Sequence, residues 1–402
     1  MSSRVHLFAS KRSAPKRSLH QEIGPLAPRK IRVGFVVHVM QVAGAEVLTR
    51  ELIQRLSGRI EPTVFCLDSV GQIGEGLKAD GVEVLNLERK PGRDWRVPLR
   101  MAKAIRDRKL DIVHAHQYTP FFYSALAKVI NPRFRLMVTE HGRHYPDRVY
   151  PIRRALNRLV LDRLADSVTA CSRFSAEGLR KADGFAGGRI EVIDNGVEVD
   201  RYGPAKNRAA NKKRLGLDPD RKYVIHAARH HPVKDQATLL RGFAIAAAEL
   251  PSIDLLMVGD GVLRNELERL AGELQIAHRV KFLGVRDDVP DLMRASEVFV
   301  LSSLSEAASL TLIEAMATGL PSVVTDVGGN PEIARHEVEA LLFPRSDIWG
   351  LASALRRIFK DPGLAWELGS AARARAEERF QLETTIEEYY RSYCRLMGWV
   401  AK

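Results

Sequence analysis

The stretch SLSEAASLTLIEAMATGLPSVVTDVGGNPE, residues 303–332, carries the most information about this chain of 402 residues. It begins with a polar loop that contains Glu306, and the apolar-rich segment 310–318 that follows predicts a helix. Gly319 suits the position just after a helix C-terminus, where the backbone turns into the left-handed region. The spacing therefore places Glu306 in the loop before the helix and Glu314 one turn into it.

The predicted helix start lies between the two carboxylates. The N–H groups of Leu310 and Thr311 have no partner within the helix, and such a helix N-terminus binds phosphate readily. A carboxylate can accept hydrogen bonds from two neighbouring hydroxyl groups, and both Glu306 and Glu314 suit that role. Two hydroxyl-binding carboxylates on either side of a phosphate site indicate a nucleotide-sugar pocket.

Short apolar runs alternate with helical segments along the whole chain, and twelve of these runs predict strands. They are IRVGFVVH (31–38), PTVFCL (62–67), VEVLNL (82–87), DIVHAH (111–116), RLMVTEH (135–141), SVTAC (167–171), YVIHAAR (223–229), IDLLMVG (253–259), VKFLG (280–284), EVFVLS (297–302), PSVVT (321–325) and ALLF (340–343). Continuous apolar runs are typical of strands buried on both faces of a parallel sheet, and intervening helices imply right-handed βαβ units. We therefore predict an α/β protein with two doubly wound, Rossmann-like domains that face a central cleft, where ligands bind beyond the strand ends.

Charge and composition restrict the classes of partner. The net charge is +13, of which residues 1–30 supply +6, so we expect this segment to be a disordered basic arm. The remaining positive charge suits phosphate-bearing substrates, anionic lipid surfaces or nucleic acid. No run of eighteen apolar residues occurs, and the three cysteines are far apart, which favours a cytoplasmic location and argues against a zinc or disulfide framework.

The spacing E-x7-E, followed by EAMATGLP and TDVGGNPE, resembles the signature of retaining glycosyltransferases of the GT-B fold. The resemblance is to glycosyltransferase family 4, of the "glycosyl transferases group 1" type, and it extends from about Ile31 to the C-terminus. It implies transfer of a hexose from a nucleoside diphosphate sugar, with UDP favoured over GDP, to a hydroxyl group of a glycan or lipid-linked acceptor. It also implies a role in cell-surface polysaccharide or glycolipid assembly, and front-face displacement without a covalent enzyme intermediate.

The same resemblance gives the parts of the chain their expected roles. They are a basic arm over 1–30, an acceptor domain over 31–204, a nucleotide-sugar donor domain over 205–380, and a C-terminal helix within 381–402 that packs back on the first domain. The polar, basic segment 201–220 is the expected boundary between the two domains. The amphipathic pattern of 386–399 fits the terminal helix.

Cations are expected at the leaving diphosphate. Arg229 ends the first strand of the second domain and Lys234 follows five residues later, which supplies a guanidinium fork and a point charge. The family's matching Arg and Lys have this role, and with a helix N-terminus beside them no metal or other cofactor is expected. His116, at the end of its strand, matches a family histidine that touches the donor sugar, whereas His141 is a weaker candidate on the acceptor side.

Other residues of the pocket follow from the resemblance. Glu306 corresponds to the glutamate that contacts the transferred sugar, and Glu314 to the one that holds the ribose hydroxyls. The first glutamate is commonly followed by Gly-Phe-Gly, but here Ala307, Ala308 and Ser309 follow, so Ser309 stands where a backbone passes near the sugar. Gly44 follows the first strand and keeps a position that the family uses for close approach to the donor phosphate.

The segment 143–165 predicts a basic amphipathic helix. Its apolar positions Val149, Ile152, Leu156, Leu159 and Val160 share one side, and Arg153, Arg154 and Arg158 lie elsewhere. Such a helix can lie on an anionic bilayer, which would make the protein peripheral on the inner face of the cytoplasmic membrane. The alternative is that the apolar side packs on the sheet.

Two other functions remain open on the sequence. The same fold serves enzymes that act on sugar nucleotides or sugar phosphates without glycan transfer, such as epimerases and phosphorylases, although no motif for a pyridoxal-bearing lysine occurs. A basic nucleic-acid-binding protein is the second alternative. No nucleic-acid-binding motif is present and much of the positive charge lies in the arm, so we do not expect nucleic acid as a partner.

Overall fold

The computed structural model describes residues 28–142 and 149–401, and it contains two parallel β-sheets. The strands of the first sheet are β1 (Ile31–Val39), β2 (Ile60–Ser69), β3 (Glu83–Asn86), β4 (Ile112–His116), β5 (Arg135–Glu140), β6 (Ser167–Ala170) and β7 (Ile190–Val192). The strands of the second sheet are β8 (Lys222–Ala227), β9 (Ile253–Val258), β10 (Val280–Gly284), β11 (Val298–Leu301), β12 (Ser322–Thr325) and β13 (Ala340–Phe343).

Helices cover both faces of each sheet. Those between the strands of the first sheet are α1 (Gly44–Arg55), α2 (Gly71–Ala79), α3 (Arg96–Asp107), α4 (Tyr118–Ile130), α5 (Pro151–Leu156), α6 (Asp162–Leu164) and α7 (Arg173–Gly178). Those of the second half are α8 (Arg208–Arg214), α9 (Gln236–Glu249), α10 (Arg264–Glu273), α11 (Val289–Ala295), α12 (Leu310–Thr318), α13 (Asn330–Ile333), α14 (Ile348–Lys360), α15 (Pro362–Arg379) and α16 (Leu382–Met397). π-Helical segments at Asn157–Leu161 and Leu179–Asp183 extend α5 and α7.

The strand order shows two doubly wound sheets. It is β3-β2-β1-β4-β5-β6-β7 in the first sheet and β10-β9-β8-β11-β12-β13 in the second, with parallel pairing throughout the named strands. Each order reverses direction once, between β1 and β4 and between β8 and β11, and ligands of such sheets bind beyond the strand ends at this point. The predicted α/β, GT-B-like architecture is confirmed, and all twelve predicted strands are present.

Helix α12 coincides with the helix predicted from the sequence. It spans Leu310–Thr318, and Gly319 follows it with φ of 74°, in the left-handed conformation that glycine adopts without strain. Strand β7 was not predicted. It has three residues at the edge of the first sheet, which is too short for a periodic pattern to be recognised in the sequence.

The last helix joins the core of the first sheet, as the resemblance implied. Tyr389 and Tyr393 of α16 are fully buried and pack in one cluster with Val33 and Phe35 of β1. The crossing is fixed by backbone hydrogen bonds, because the N–H group of Val197 donates to the Phe380 carbonyl oxygen at 2.9 Å. The C-terminal helix therefore completes the hydrophobic core on one face of the first sheet.

Two predicted segments differ in detail. Residues 1–27 of the expected basic arm lie outside the described residues, but Arg29 is anchored, since its guanidinium donates to both carboxylate oxygens of Asp111 at 2.7 Å. The expected boundary 201–220 is not a bare linker, because it contains helix α8, whose Asn211 donates to the Asp291 carbonyl oxygen at 2.6 Å. Within 28–142 and 149–401, no helix is both long and apolar enough to span a bilayer.

Candidate functional site

The predicted site residues follow the four strands at the two switch points. Gly44 follows β1, His116 ends β4, Lys234 lies in the loop after β8, and Glu306 lies in the loop after β11. Because these strands are parallel and central in their sheets, their carboxyl ends place the four segments at the cleft. The strand order thus explains why residues up to about 260 positions apart belong to one site.

Lys234 and Glu306 form an ion pair in the second half. The Lys234 ammonium lies 2.5 Å from Glu306 Oε1, and the Ser303 hydroxyl donates to the same oxygen at 2.5 Å. Glu306 is buried and Lys234 is partly exposed, so the pair lies at the edge of the packed interior. The Lys234 ammonium is paired with the Glu306 carboxylate here, and its partial exposure leaves it accessible to an anionic ligand.

Arg229 lies two residues beyond the end of β8, with its side chain exposed. Its positive charge acts on Glu46, the buried acidic residue in the first turn of α1 in the other half of the molecule. Burial raises the pKa of Glu46, and the Arg229 guanidinium partly counteracts that rise. The Arg229 guanidinium therefore lies within electrostatic range of the first half of the molecule.

The Glu306 loop is held from two sides by hydrogen bonds. On one side the Leu304 N–H donates to the Val233 carbonyl oxygen at 2.8 Å, which ties the loop to the Lys234 segment. On the other side the Gly329 N–H donates to the Glu306 carbonyl oxygen at 2.9 Å, and the Thr325 hydroxyl donates to that of Ser303 at 2.8 Å. The position of the Glu306 carboxylate is thus set by the loops after β8 and β12 together.

The start of α12 has the features of an anion site. Ser309 is the N-cap, and its hydroxyl oxygen accepts from the Leu312 N–H at 3.3 Å. The N–H groups of Leu310 and Thr311 have no hydrogen-bond partner among the described residues. The Ser309 side chain is therefore used to cap the helix, and the two N–H groups before Leu312 remain available.

Gly44 lies opposite this helix start. A Cβ added at Gly44 would lie 3.4 Å from Leu310 Cδ1, so the first turns of α1 and α12 approach each other across the cleft. The backbone of Gly44 does not have a positive φ. Gly44 therefore contributes the space that its missing side chain leaves, and not an unusual backbone conformation.

Glu314 lies one turn into α12, as predicted, and is partly buried. Its carboxyl group accepts a hydrogen bond from the Tyr202 hydroxyl. Burial raises the pKa of Glu314 to about 7, although the Tyr202 hydrogen bond acts in the opposite direction. This carboxyl group therefore changes charge near neutral pH.

His116 is buried in a cluster of aromatic and polar side chains. Its Nδ1 lies 2.8 Å from Nε2 of His141 and 3.4 Å from the Thr49 hydroxyl, and the two imidazole rings stack with centroids 5.1 Å apart. His116 Nε2 has no partner in the part of the chain that the structure describes. Burial lowers the pKa of His116 well below its usual value and that of His141 to about 4, so both rings are neutral at pH 7.

The two halves touch around the site. Gly142 lies against Ala307, because a Cβ at Gly142 would be only 2.2 Å from that of Ala307. The side-chain amide of Asn195 donates to the Ala308 carbonyl oxygen at 3.3 Å. The residues that replace Gly-Phe-Gly thus pack on the first half, and Ala307 occupies space that only a glycine at position 142 leaves open.

The apolar side of the helix that begins at Pro151 is exposed, which contradicts the expectation that it packs on the sheet. Ile152, Leu159 and Val160 are 83%, 63% and 46% exposed, so the apolar side does not pack on the sheet. The buried side carries Asn157, whose amide donates to the Asp183 carbonyl oxygen at 2.8 Å. Residues 143–148 of the predicted helix lie outside the described residues.

Several residues of the site were not predicted. Ser303, Thr49 and Tyr202 hold the side chains of Glu306, His116 and Glu314, and the pair Gly328 and Gly329 supports the Glu306 loop. The glycine pair in TDVGGNPE was the one signal in the sequence that could have indicated close backbone contact. Isolated Ser, Thr and Tyr residues gave no such signal.

Two doubly wound parallel sheets with candidate ligand-binding residues after the strands at both switch points are the architecture of the GT-B class of glycosyltransferases. Comparison with known sequences agrees with this class. The profile described as Glycosyl transferases group 1 matches residues 207–375, and the profile described as Glycosyltransferase Family 4 matches residues 42–201. The chain belongs to glycosyltransferase family 4, of the group 1 type.

Individual relatives are similar over large parts of the chain. N-acetyl-alpha-D-glucosaminyl L-malate synthase of Bacillus anthracis is 31% identical over 75% of this chain and 79% of its own length. UDP-Gal:alpha-D-GlcNAc-diphosphoundecaprenol alpha-1,3-galactosyltransferase of Escherichia coli is 33% identical over 43% of this chain and 46% of its own length. The crystal structure of Anabaena HepE in complex with UDP and glucose has the same fold, with a TM-score of 0.80, 23% identity and coverage of 90% and 99% of the two chains.

Proposed function

We propose that the protein is a retaining, metal-independent hexosyltransferase. It moves a hexose from a nucleoside diphosphate sugar, UDP rather than GDP, to a hydroxyl group of a glycan or lipid-linked acceptor during cell-surface polysaccharide or glycolipid assembly. The observation that carries the proposal is the Lys234–Glu306 pair at 2.5 Å. Glu306 lies in the loop that leads into α12, whose first two N–H groups have no partner among the described residues. A diphosphate can replace Glu306 as the partner of Lys234, which releases the carboxylate to accept from sugar hydroxyls.

Charge complementarity supports sugar transfer at this place. When the bond between the anomeric carbon and the phosphate oxygen breaks, negative charge grows on the departing diphosphate. Arg229, Lys234 and the N–H groups of Leu310 and Thr311 stabilise that charge more in the transition state than in the ground state. In the front-face displacement that the family implies, the departing phosphate oxygen takes the proton of the acceptor hydroxyl, whose oxygen forms the new glycosidic bond.

The choice of UDP rests on relatives. The Escherichia coli enzyme is named for UDP-Gal, and the HepE structure holds UDP and glucose. The same Escherichia coli name gives a diphosphoundecaprenol acceptor, which supports a lipid-linked acceptor for this protein.

A ligand screen tests the proposed function. UDP or a UDP-hexose is expected to raise the thermal unfolding temperature of the wild type, whereas GDP has a smaller effect, because a ligand that binds the folded state stabilises it by mass action. Incubation with the stabilising UDP-hexose and a mixture of polyprenyl diphosphate sugars is expected to release UDP and yield a larger glycolipid. Conversion to a different UDP-sugar without UDP release identifies an epimerase, and the absence of any nucleotide effect contradicts the proposal.

Glu314 predicts that donor binding depends on pH. Its carboxylate form is the acceptor for ribose hydroxyls, and with a pKa of about 7 that form grows as the pH rises from 6 to 8. The affinity for a UDP-hexose, whose diphosphate does not titrate in this range, is therefore expected to rise by up to about tenfold. Calorimetric titration at several pH values measures the affinity. The Glu314→Gln variant is expected to bind weakly, with an affinity that does not change with pH. An affinity of the wild type that does not change with pH contradicts the role of Glu314 in ribose binding.

We further propose that the protein binds anionic membranes through the outer side of α5 and the segment after it. Ile152, Leu159 and Val160 are exposed there, and Arg154 and Arg158 are exposed on the same stretch. Apolar side chains flanked by arginines suit insertion at the headgroup boundary of an anionic bilayer. A membrane-bound protein would meet a lipid-linked acceptor at the bilayer surface, which is consistent with the proposed acceptor.

Vesicle flotation tests membrane binding. The wild type is expected to float with phosphatidylglycerol vesicles and much less with phosphatidylcholine vesicles, and Ile152→Glu with Leu159→Glu is expected to abolish flotation. Val262→Glu is the matched control, because Val262 is 83% exposed, like Ile152, but lies in the other half of the molecule. The proposal is contradicted if the double variant floats as well as the wild type. It is also contradicted if the wild type is a soluble dimer that the Ile152 and Leu159 substitutions dissociate.

A further inference from the structure

The environment of His116 determines which of its nitrogens carries the proton. The Thr49 hydroxyl donates to the Ala45 carbonyl oxygen at 2.8 Å, so toward His116 Nδ1, 3.4 Å away, it offers only a lone pair. The second neighbour of Nδ1 is Nε2 of His141 at 2.8 Å. Between these two nitrogens a single hydrogen atom must lie.

This hydrogen atom can be bonded to His116 Nδ1 or to His141 Nε2, and only one of these arrangements agrees with the contacts of Nδ1 to both His141 and Thr49. If His141 Nε2 carried the hydrogen atom, the lone pair of His116 Nδ1 would face the lone pair of Thr49. If His116 Nδ1 carries it, the N–H group faces two acceptors, a strong one on His141 and a weak one on Thr49. The neutral His116 ring then has its proton on Nδ1 and a bare lone pair on Nε2.

The neighbouring His114 is fixed by a separate chain of hydrogen bonds. The Thr169 hydroxyl donates to the Val138 carbonyl oxygen, so it accepts from the Thr139 hydroxyl at 2.6 Å. Thr139 therefore accepts from His114 Nε2 at 2.6 Å, and His114 Nδ1 accepts from Tyr393 at 2.8 Å. Both nitrogens of His114 are occupied, so this ring does not compete for the neighbours of His116.

The remaining atom, His116 Nε2, is a buried acceptor without a partner in the described part of the chain. Buried polar atoms in folded proteins are nearly always paired, and an unpaired one at the end of a switch-point strand points to a ligand. We propose that Thr49 and His141 are positioning residues that hold His116 as the Nδ1–H tautomer. The contact with the donor sugar, which the family resemblance already implies for this histidine, is then made by Nε2 as the acceptor of a hydrogen bond from one sugar hydroxyl group.

This inference rests on the proposed function and narrows its substrate class. A bare imidazole nitrogen pairs with a hydroxyl group, which brings a hydrogen atom, but not with a carboxylate, which brings only lone pairs. The donor is therefore a hexose that presents a free hydroxyl group at this point, and a sugar with a carboxylate in its place is excluded.

The tautomer can be measured without any assay of activity. Nitrogen NMR of the whole protein with isotope-labelled histidine, at neutral pH, is expected to show a protonated Nδ1 and an unprotonated Nε2 for His116. The resonances are assigned by their loss in His116→Asn. A protonated Nε2 in the wild type overturns the proposal, whether or not a donor has been found.

Variants of the two positioning residues test their contribution. Thr49→Val keeps the shape but removes the weak acceptor, and His141→Phe removes the strong one; each is expected to shift the His116 resonances toward exchange between tautomers. Thr49→Ser and His141→Gln each retain an acceptor oxygen and are expected to restore the wild-type pattern. Unchanged spectra in both Thr49→Val and His141→Phe contradict the positioning role.

Binding measurements connect the tautomer to the sugar. The probes are the stabilising UDP-hexose and its analogues with one hydroxyl group replaced by fluorine, which cannot donate a hydrogen bond. One analogue is expected to bind the wild type roughly threefold to tenfold more weakly, and that difference is expected to vanish in His116→Phe. If no analogue loses affinity through His116, the sugar contact is refuted; if no UDP-sugar binds at all, the proposed function fails while the NMR result stands alone.

Discussion

Replacing Lys234 by alanine is expected to lower kcat/KM for the nucleotide sugar by about two to three orders of magnitude. The Lys234 ammonium lies 2.5 Å from Glu306, in the loop after β8, where the leaving diphosphate is proposed to bind. Its charge stabilises the departing phosphate most strongly in the transition state, so most of the loss is expected in kcat. The thermal shift caused by UDP is also expected to disappear.

The control for this variant is Lys213→Ala, which removes an exposed lysine from α8 at a distance from the cleft. It carries the same change in net charge, so any general electrostatic attraction of the donor to the basic protein is cancelled in the comparison. Initial rates of UDP release measure both variants. Full activity of Lys234→Ala would remove the cation from the proposed mechanism and with it the main argument for sugar transfer at this site.

The second large effect is expected from Gly329→Ala. A Cβ at this position would lie 1.8 Å from the Ala307 carbonyl oxygen, whereas non-bonded heavy atoms are ordinarily separated by about 3.5 Å. The backbone of Gly329 has an ordinary φ of −87°, so the effect is one of space alone. The Glu306 loop must retreat, and a displacement of roughly 1 Å at reacting groups costs about a hundredfold in rate.

Gly272→Ala separates this effect from the general consequence of adding a methyl group. Gly272 lies in α10 with no atom near its missing Cβ, so alanine is expected to stabilise the helix by about 0.5–1 kcal/mol. Thermal unfolding and rates of UDP release measure both variants. Wild-type activity of Gly329→Ala would mean that the loop carrying Glu306 does not need the position that the structure gives it.

Local signals in the sequence were sufficient for the elements that carry the site. Helix α12 was predicted closely, because an apolar run covers it and Gly319 marks its C-terminus chemically, whereas the capping role of Ser309 was not predicted. The six runs of the second half all form strands, since buried parallel strands are apolar throughout their length. Strand β7 was missed because its three residues lie at a sheet edge, where burial does not impose a pattern.

Contacts between distant segments could not be predicted in the same way. Lys234 and Glu306 were each expected in the site, but their pairing depends on the adjacency of β8 and β11, which a list of strands does not give. The contact of His116 with His141 depends likewise on the adjacency of β4 and β5. No signal in the sequence therefore indicated that His141 contacts His116.

The helix after Pro151 shows the limit of periodicity. The apolar stripe was recognised, but which side faces the protein depends on polar contacts made by Asn157 with Asp183 and Tyr118. A buried asparagine inside an amphipathic helix cannot be distinguished from a solvated one in the sequence. Two satisfied hydrogen bonds hold the polar side inward and leave the apolar side outward.

The return of α16 to the first sheet affects the order in which the molecule forms during synthesis. Tyr389, Tyr393 and four other residues of α16 fill a core in which most of the remaining residues come from the first eighty positions of the chain. While the ribosome is still producing the second half, that core has an open apolar side, although N-terminal domains usually fold first. Helix α16 can therefore cover this core only after the chain is released from the ribosome. A chain truncated before α16 is expected to expose apolar surface and to aggregate, and not to form an independent N-terminal domain.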